Sequence, residues 1–212
     1  MTSREEILRR VRDGLKALPD DGRTIPVPRN YGRNAPELTA EDRAEIVDLF
    51  AERMKHNGAQ VHRITEQGVG DSVAGALRSH NVASVLAPDG LAEDWLAEWA
   101  TGAEHRVVSG PIDPAEVPDA VLTACAGAVA DSGAIVLDGG PGQGTRGGLL
   151  PNCHVCVVQV GQIDPSLPDV LDKIDPRRPI TWVGGPSAPV DPEKERAHGR
   201  HSMRQLVVLI VE

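Results

Sequence analysis

Apolar residues recur at helical spacing from the start of the chain. Ile7, Leu8, Val11, Leu15 and Leu18 share one face behind a Ser3-x-x-Glu6 capping-box pattern, which predicts a helix over residues 3–18. Residues 19–36 contain four prolines and no hydrophobic period, so residues 1–36 read as a helix followed by a proline-rich arm. Thr39 is placed to cap a second helix with Ile46, Phe50 and Met54 inward, and Gly58 is its stop signal. Short apolar runs then alternate with helical patterns. Strands are expected over 61–64, 82–87 and 106–109, and a helix over 69–79. Leu91, Trp95 and Trp99 recur every four residues and form one wall of a further helix.

The second half has a different rhythm. Ala126–Ala130 and Ala134–Leu137 flank Asp131-Ser132-Gly133, the pattern of a tight hairpin. A glycine-rich loop spans 138–152. A buried strand over 155–160, a helix over 166–174 and strands over 180–183 and 206–211 follow. Together these elements predict a three-layer αβα domain, residues 37–212, with a mixed, mostly parallel sheet carrying one hairpin.

Composition narrows the function classes. The 212 residues are 40% hydrophobic and 25% charged, a globular balance, but only five are aromatic: Tyr31, Phe50, Trp95, Trp99 and Trp182. The core is therefore aliphatic, and a base-stacking platform for single strands lacks its rings. A net charge of −9 with no basic run excludes a phosphate-backbone binder. No apolar stretch approaches the ~20 residues of a membrane span, and the charged N-terminus has no signal core. The expectation is a soluble cytoplasmic protein that binds neither nucleic acid nor membrane. Three cysteines, Cys125, Cys153 and Cys156, cannot make a disulfide framework.

Three stretches carry candidate chemistry. Residues 142–147 of the glycine-rich loop match G-x-G-x-x-G, but a strand rather than a helix follows. The loop reads either as an amide nest that holds an anion with Arg146 or as a connector. Cys153-His154-Val155-Cys156 suggests a metal or redox motif. Residues three apart on a strand face opposite sides, however, and zinc needs two further ligands, so buried small hydrophobes explain the cysteines better. His154, where the loop enters a strand, reads as a pocket-rim residue or as a hydrogen-bonded structural histidine.

The third stretch is Gly184-Gly185-Pro186-Ser187, Asp191-Pro192-Glu193, then His198-Gly199-Arg200-His201 and Arg204. A strand feeding a Gly-Pro-Ser turn places a hydroxyl at a strand's carboxyl end, where open α/β sheets bind ligands. Asp191, Pro192, Glu193 and Gly199 also suit the cap, first turn and stop of a short helix. Ser187, His201 and Arg204 fall outside that explanation and suit a small carboxylate or phosphate. Asp131 and Glu193 are the candidate acid and base; G-x-S-x-G is absent.

Taken together, these residues resemble the LutC/YkgG family of LUD-domain proteins. The resemblance rests on the N-terminal helix, Val27-Pro28-Arg29-Asn30-Tyr31, Ala130-Asp131-Ser132-Gly133 before a strand, and Leu149-Leu150-Pro151 with His154. It closes on a G-P-S…D-x-E…G-x-H-x-x-R signature over Gly185–Arg204. Where the family has Gly-Val-His-Gly-Pro, this chain has Gly199-Arg200-His201-Ser202-Met203. The resemblance implies a NagB/RpiA/CoA-transferase-like fold and a role in oxidising L-lactate to pyruvate. With the residue reading it gives an accessory subunit that binds a small carboxylate, with Ser187, His201, Arg204, Arg146 and His154 as the candidate ligands. No cofactor is expected in this chain; iron–sulfur centres are expected in LutA/LutB-like partner subunits. The alternatives are a stand-alone enzyme of the CoA-transferase or sugar-phosphate-isomerase kind, or a regulatory small-molecule binder.

Overall fold

A computed structural model describes residues 3–16, 39–110, 117–144, 151–186 and 203–212. Arg146, Ser187, Asp191, Glu193, His198 and His201 lie outside the described residues, as does the proline-rich arm. By their contacts the residues form two units, Met1–Ala35 and Pro36–Glu212. In the first unit, α1 (Ser3–Lys16) opens with Glu5 and Glu6 and ends on Lys16, complementing the helix dipole. Glu6 pairs with Arg9 at 2.8 Å and with Arg10 at 2.9 Å, one turn on. Its apolar face of Ile7, Leu8, Val11 and Leu15 is exposed.

The second unit begins with α2 (Ala40–His56). Thr39 Oγ1 accepts the Asp42 N–H, and the Asp42 carboxylate accepts the Thr39 N–H at 2.9 Å, a reciprocal capping box. Gly58, at φ 92°, turns the chain into β1 (Gln60–Ile64). The next helix, α3 (Val69–Ser79), ends in a Schellman motif: the Val82 N–H bonds to Leu77 O and the Asn81 N–H to Arg78 O, both at 3.1 Å. Asn81 takes the left-handed position, φ 52°. The chain continues through β2 (Ser84–Leu86), α4 (Asp94–Ala97), β3 (Arg106–Val108) and β4 (Ala120–Thr123). β5 (Gly127–Val129) and β6 (Ala134–Leu137) form the hairpin, and β7 (Cys153–Gln159) follows. Last come β8 (Ile163–Asp164), α5 (Leu167–Leu171), β9 (Thr181–Val183) and β10 (Gln205–Val211).

Six strands form a wholly parallel sheet in the order β1-β10-β7-β4-β2-β3. The α/β class and mostly parallel sheet are those expected. The hairpin, however, is not part of that sheet. It builds a second, four-stranded sheet in the order β8-β5-β6-β9, in which β6 runs antiparallel to both neighbours and β8 parallel to β5.

Three apolar clusters bind the layers. On one face of the main sheet, Leu122, Val155 and Leu209 pack against Val73 and Leu77 of α3 and against Trp99. On the other face, Val158, Val208 and Ile210 meet Phe50 and Met54 of α2 and the inner face of the second sheet, Ala128, Ile135 and Ile163. The outer face of that second sheet, Val129 and Val136, is closed by Val170 and Ile174. β7 and β10 are buried on both faces, which is why their sequences are continuous apolar runs rather than alternating ones.

Candidate functional site

Two edges of the parallel sheet hold the residues singled out above. At the carboxyl edge, β2 leads to β3 on one side while its neighbour β4 leads, through the second sheet, to β7 on the other. Adjacent strands whose connections depart in opposite directions leave a crevice, the usual ligand position in such sheets. Residues 139–144 of the glycine-rich loop occupy it. Gly142 donates to Asp89 O and accepts from the Ala124 N–H, each at 2.8 Å, and so stitches the ends of β2 and β4 together. A side chain cannot replace hydrogen at two contacts here: a Cβ on Gly90 (φ 84°) would sit 2.7 Å from Pro141, and one on Gly144 (φ 54°) 2.7 Å from Pro88.

The amides of this half of the loop are committed within the protein. Gly140 N–H bonds to the Asp138 carboxylate at 2.9 Å, Gly142 N–H to Asp89 O, and Gln143 N–H to Gly140 O. Asp138 also accepts from Arg178 at 3.2 Å. Residues 140–143 therefore form no open anion nest. A cavity of about 350 Å³ beside the loop has two carboxylates in its lining, Asp89 and Glu93, which disfavours an anionic ligand.

The amino edge collects more of the expected residues. Because β9 runs antiparallel to β6 in the second sheet, the carboxyl-end rule for open parallel sheets does not apply to the turn that follows it. That turn, Gly184-Gly185-Pro186, instead reaches the end of α2, where Gly185 (φ 147°) backs onto Asn57; a Cβ would lie 2.7 Å from the Asn57 carbonyl. The same helix end receives the hairpin tip. Asn57 Nδ2 donates to Ser132 O at 3.1 Å, and Gly133 (φ 64°) lies so close that a Cβ would come within 2.9 Å of the Arg53–Met54 backbone. Gly58 then leads into β1, so this is the amino edge of the main sheet. Asp131 is exposed on the hairpin tip.

Arg204 lies on this edge too. Its N–H and that of Gln205 both bond to Asn152 O at 2.9 Å, joining the starts of β7 and β10. A cavity of about 250 Å³ opens here, lined by His80, Asn81, Asp119, Asn152 and Arg204. Asp119 Oδ2 accepts from the N–H groups of Ala83 and Ser84 and from Ser84 Oγ at 2.8–3.1 Å. His80 Nε2 is buried without a hydrogen-bond partner.

Between the edges, a polar strip interrupts the aliphatic face that meets α2. His154 is fully buried, so it is not a rim residue. Its Nε2 meets Thr123 Oγ1 at 2.7 Å, and its Nδ1 has no partner. Cys156 follows two residues on, facing the same way, while Cys153 packs on the opposite face with Val155 and Val157. The neighbouring Cys125 thiol draws the Cys156 thiol down, helped by His154 and Thr123 against the opposing effect of burial. Cys125 is pushed up in turn, and burial raises Cys153 to about 11. Gln162 fixes Cys125 from the other side, accepting from its sulfur at 3.4 Å and donating to its carbonyl at 2.8 Å. Among the described residues, no three His, Cys, Asp or Glu side chains are gathered to hold a metal.

The LUD domain model matches residues 112–211. Lactate utilization protein C of Deinococcus radiodurans is 35% identical over 176 residues, covering 80% of this chain and 81% of that protein. The chain belongs to the LUD-domain family. The crystal structure of a DUF162 family protein from Deinococcus radiodurans is also similar, at 32% identity and a TM-score of 0.65, covering 80% of this chain and 98% of that one.

The LUD match runs from just before β4 to the end of β10. It contains the crevice loop, the buried strip and the turn beside Asn57. Asp131, Arg204 and the approach to Ser187 share the amino edge of the main sheet, and His154 lies beneath it in β7. Thr123, Cys125 and Gln162 of the strip, and His80, Asn81, Asp119 and Asn152 of the cavity, were not among the residues selected from sequence. Each is unremarkable in its own segment. Only Asn152, beside the Leu-Leu-Pro motif, had a nearby signal.

Proposed function

We propose that this LUD-family chain is a cytoplasmic component of an L-lactate utilization system, an accessory subunit in the oxidation of lactate to pyruvate. The observation that carries this reading is the likeness to lactate utilization protein C, which extends over four-fifths of both chains. Oxidising a 2-hydroxy acid to a 2-oxo acid releases two electrons and two protons, which need an acceptor. A four-cysteine iron–sulfur cluster exceeds the three cysteines available here, so the electrons pass to iron–sulfur partner subunits. This chain's part is to hold the small carboxylate, with Arg204 contributing the charge and Ser187, His201, Arg146 and His154 as further candidates.

The stand-alone transferase or isomerase reading draws less support, because the amides of residues 140–143 are already bonded within the protein. The test is affinity purification of the tagged chain from its host grown on lactate, assaying the eluate for iron and for lactate-dependent dye reduction. Iron-containing partners with activity are the expected result. A chain that elutes alone and without activity overturns the accessory role.

A further inference from the structure

We propose that α1 is a docking helix for a partner protein, and that it lays its face of Ile7, Leu8, Val11 and Leu15 into an apolar groove whose walls carry carboxylates. That a partner subunit exists rests on the accessory reading above; the docking element rests on α1 alone.

Four of the eight large hydrophobic side chains exposed among the described residues belong to this one helix of 14 residues. Ile7 is 58% exposed, Leu8 39%, Val11 53% and Leu15 54%, and no residue of α1 is buried. Steps of three and four residues bring these side chains onto one face, so they form a stripe rather than scattered single residues. A helix of this length is marginal in water by itself, and burial of an amphipathic face is what ordinarily stabilises one. Anchors at i, i+3 and i+7, here Leu8, Val11 and Leu15, are the pattern of a helix seated in a groove.

The charges around the stripe define the groove. α1 has five basic and three acidic side chains, in a chain with 22 basic and 31 acidic. At 3.6 residues per turn, Arg10 and Arg12 flank the stripe on opposite sides and Arg4 stands at its amino end. Glu5 is the one acid beside it, two turns before Arg12 on the same flank. Glu6 and Asp13 lie on the far side, where they pair with Arg9 at 2.8 Å and 3.5 Å. Arg10 shares Glu6 at 2.9 Å, while Arg4 and Arg12 make no ion pair among the described residues.

Guanidinium forks match carboxylates bidentately, so the complementary groove has Asp or Glu along both walls. A second copy of α1 does not supply them, because a two-fold pair would set the same arginines against one another. The acids on the back of the helix, and a stripe without an aromatic ring, disfavour a lipid surface.

The test begins with the iron-containing subunit retained by the tagged chain from its lactate-grown host. That subunit is separated, identified by mass spectrometry and titrated back onto the full chain by calorimetry. The titration is repeated with Leu8→Ala/Val11→Ala, which removes anchors and keeps the helix, and with Arg10→Glu/Arg12→Glu and Arg10→Lys/Arg12→Lys. The expected result is binding roughly tenfold or more weaker in the alanine and glutamate pairs and nearly unchanged in the lysine pair. Carbodiimide should then cross-link the lysine pair to Asp or Glu of the partner. Full affinity in the alanine pair overturns the docking role and leaves the accessory reading standing. Full affinity in the glutamate pair, or no cross-link from positions 10 and 12, overturns the acidic groove. Three further results overturn the proposal by giving the stripe another cover. They are a wild-type dimer in the ultracentrifuge that the alanine pair separates, binding to vesicles of phosphatidylcholine and phosphatidylglycerol, and slow amide exchange across α1 in the lone monomeric chain. A wild-type chain that retains no subunit overturns both the proposal and the accessory reading.

Discussion

Thr123→Val isolates one buried hydrogen bond. Thr123 is 2% exposed and His154 0%, and they meet at 2.7 Å through the only ring nitrogen of His154 that has a partner. Valine keeps the shape of threonine and leaves no cavity, so the change is almost wholly polar. It strips the imidazole of the hydrogen bond to Thr123 in a site closed to solvent. A buried group left unsatisfied costs about 1–3 kcal/mol. The upper half of that range is expected, because a methyl group cannot approach a ring nitrogen as closely as the hydroxyl does. In a chain of this size the loss lowers the melting temperature by roughly 2–4 °C per kcal/mol. Urea unfolding of wild type, Thr123→Val, His154→Leu and the double variant closes a thermodynamic cycle. The double variant removes both partners, so it should be more stable than the sum of the singles by about 1 kcal/mol or more. A Thr123→Val chain within about 0.5 kcal/mol of wild type, or an additive cycle, would show that this hydrogen bond does not stabilise the fold.

Other perturbations have equally direct readouts. Gly133→Ala forces a Cβ into the Arg53–Met54 backbone from a left-handed conformation, so it should cost about 2 kcal/mol or more, measured by urea midpoint. Gly161→Ala, with nothing within 4 Å, is the neutral control. Thr39→Ala removes the cap of α2 and should cost about 1 kcal/mol in the same assay. Asp164 is 4% exposed and takes both its hydrogen bonds at 2.7 Å from Lys173 Nζ, so Lys173→Met should cost about 1–3 kcal/mol. Adding Asp164→Asn should recover part of that loss.

Much of the fold was legible in the chain, and the parts that were not share a physical cause. α3 spans the residues its apolar period marks, Val69–Ser79, and Thr39 caps the helix it was expected to cap. Asp131-Ser132-Gly133 makes its hairpin, because Gly133 supplies the positive φ the turn needs. β4 escaped notice because Ala120–Thr123 is only four residues long. Its conformation is set by pairing with β7, Ala120 beside Cys153, which no local pattern encodes. Period two says which residues share a face but not which sheet a strand joins, so the hairpin's separation into a second sheet was invisible. The same gap misplaced the turn before Ser187, since the carboxyl-end rule presumes a parallel neighbour that β9 does not have. In the site, Arg204 stood out through its motif. His80, Asn81, Asp119 and Asn152 come from three separate stretches of chain that only the strand order brings together. His154 was placed at a loop mouth by sequence and under α2 and the second sheet by packing.

A role in lactate utilization is tested most directly by growth. The coding sequence is deleted from the host, and growth is measured on L-lactate and on pyruvate as sole carbon source. The expected strain fails on lactate, grows normally on pyruvate, and recovers on lactate when the wild-type chain is returned. Undiminished growth on lactate, in a strain holding no second copy of the gene, would contradict the claim.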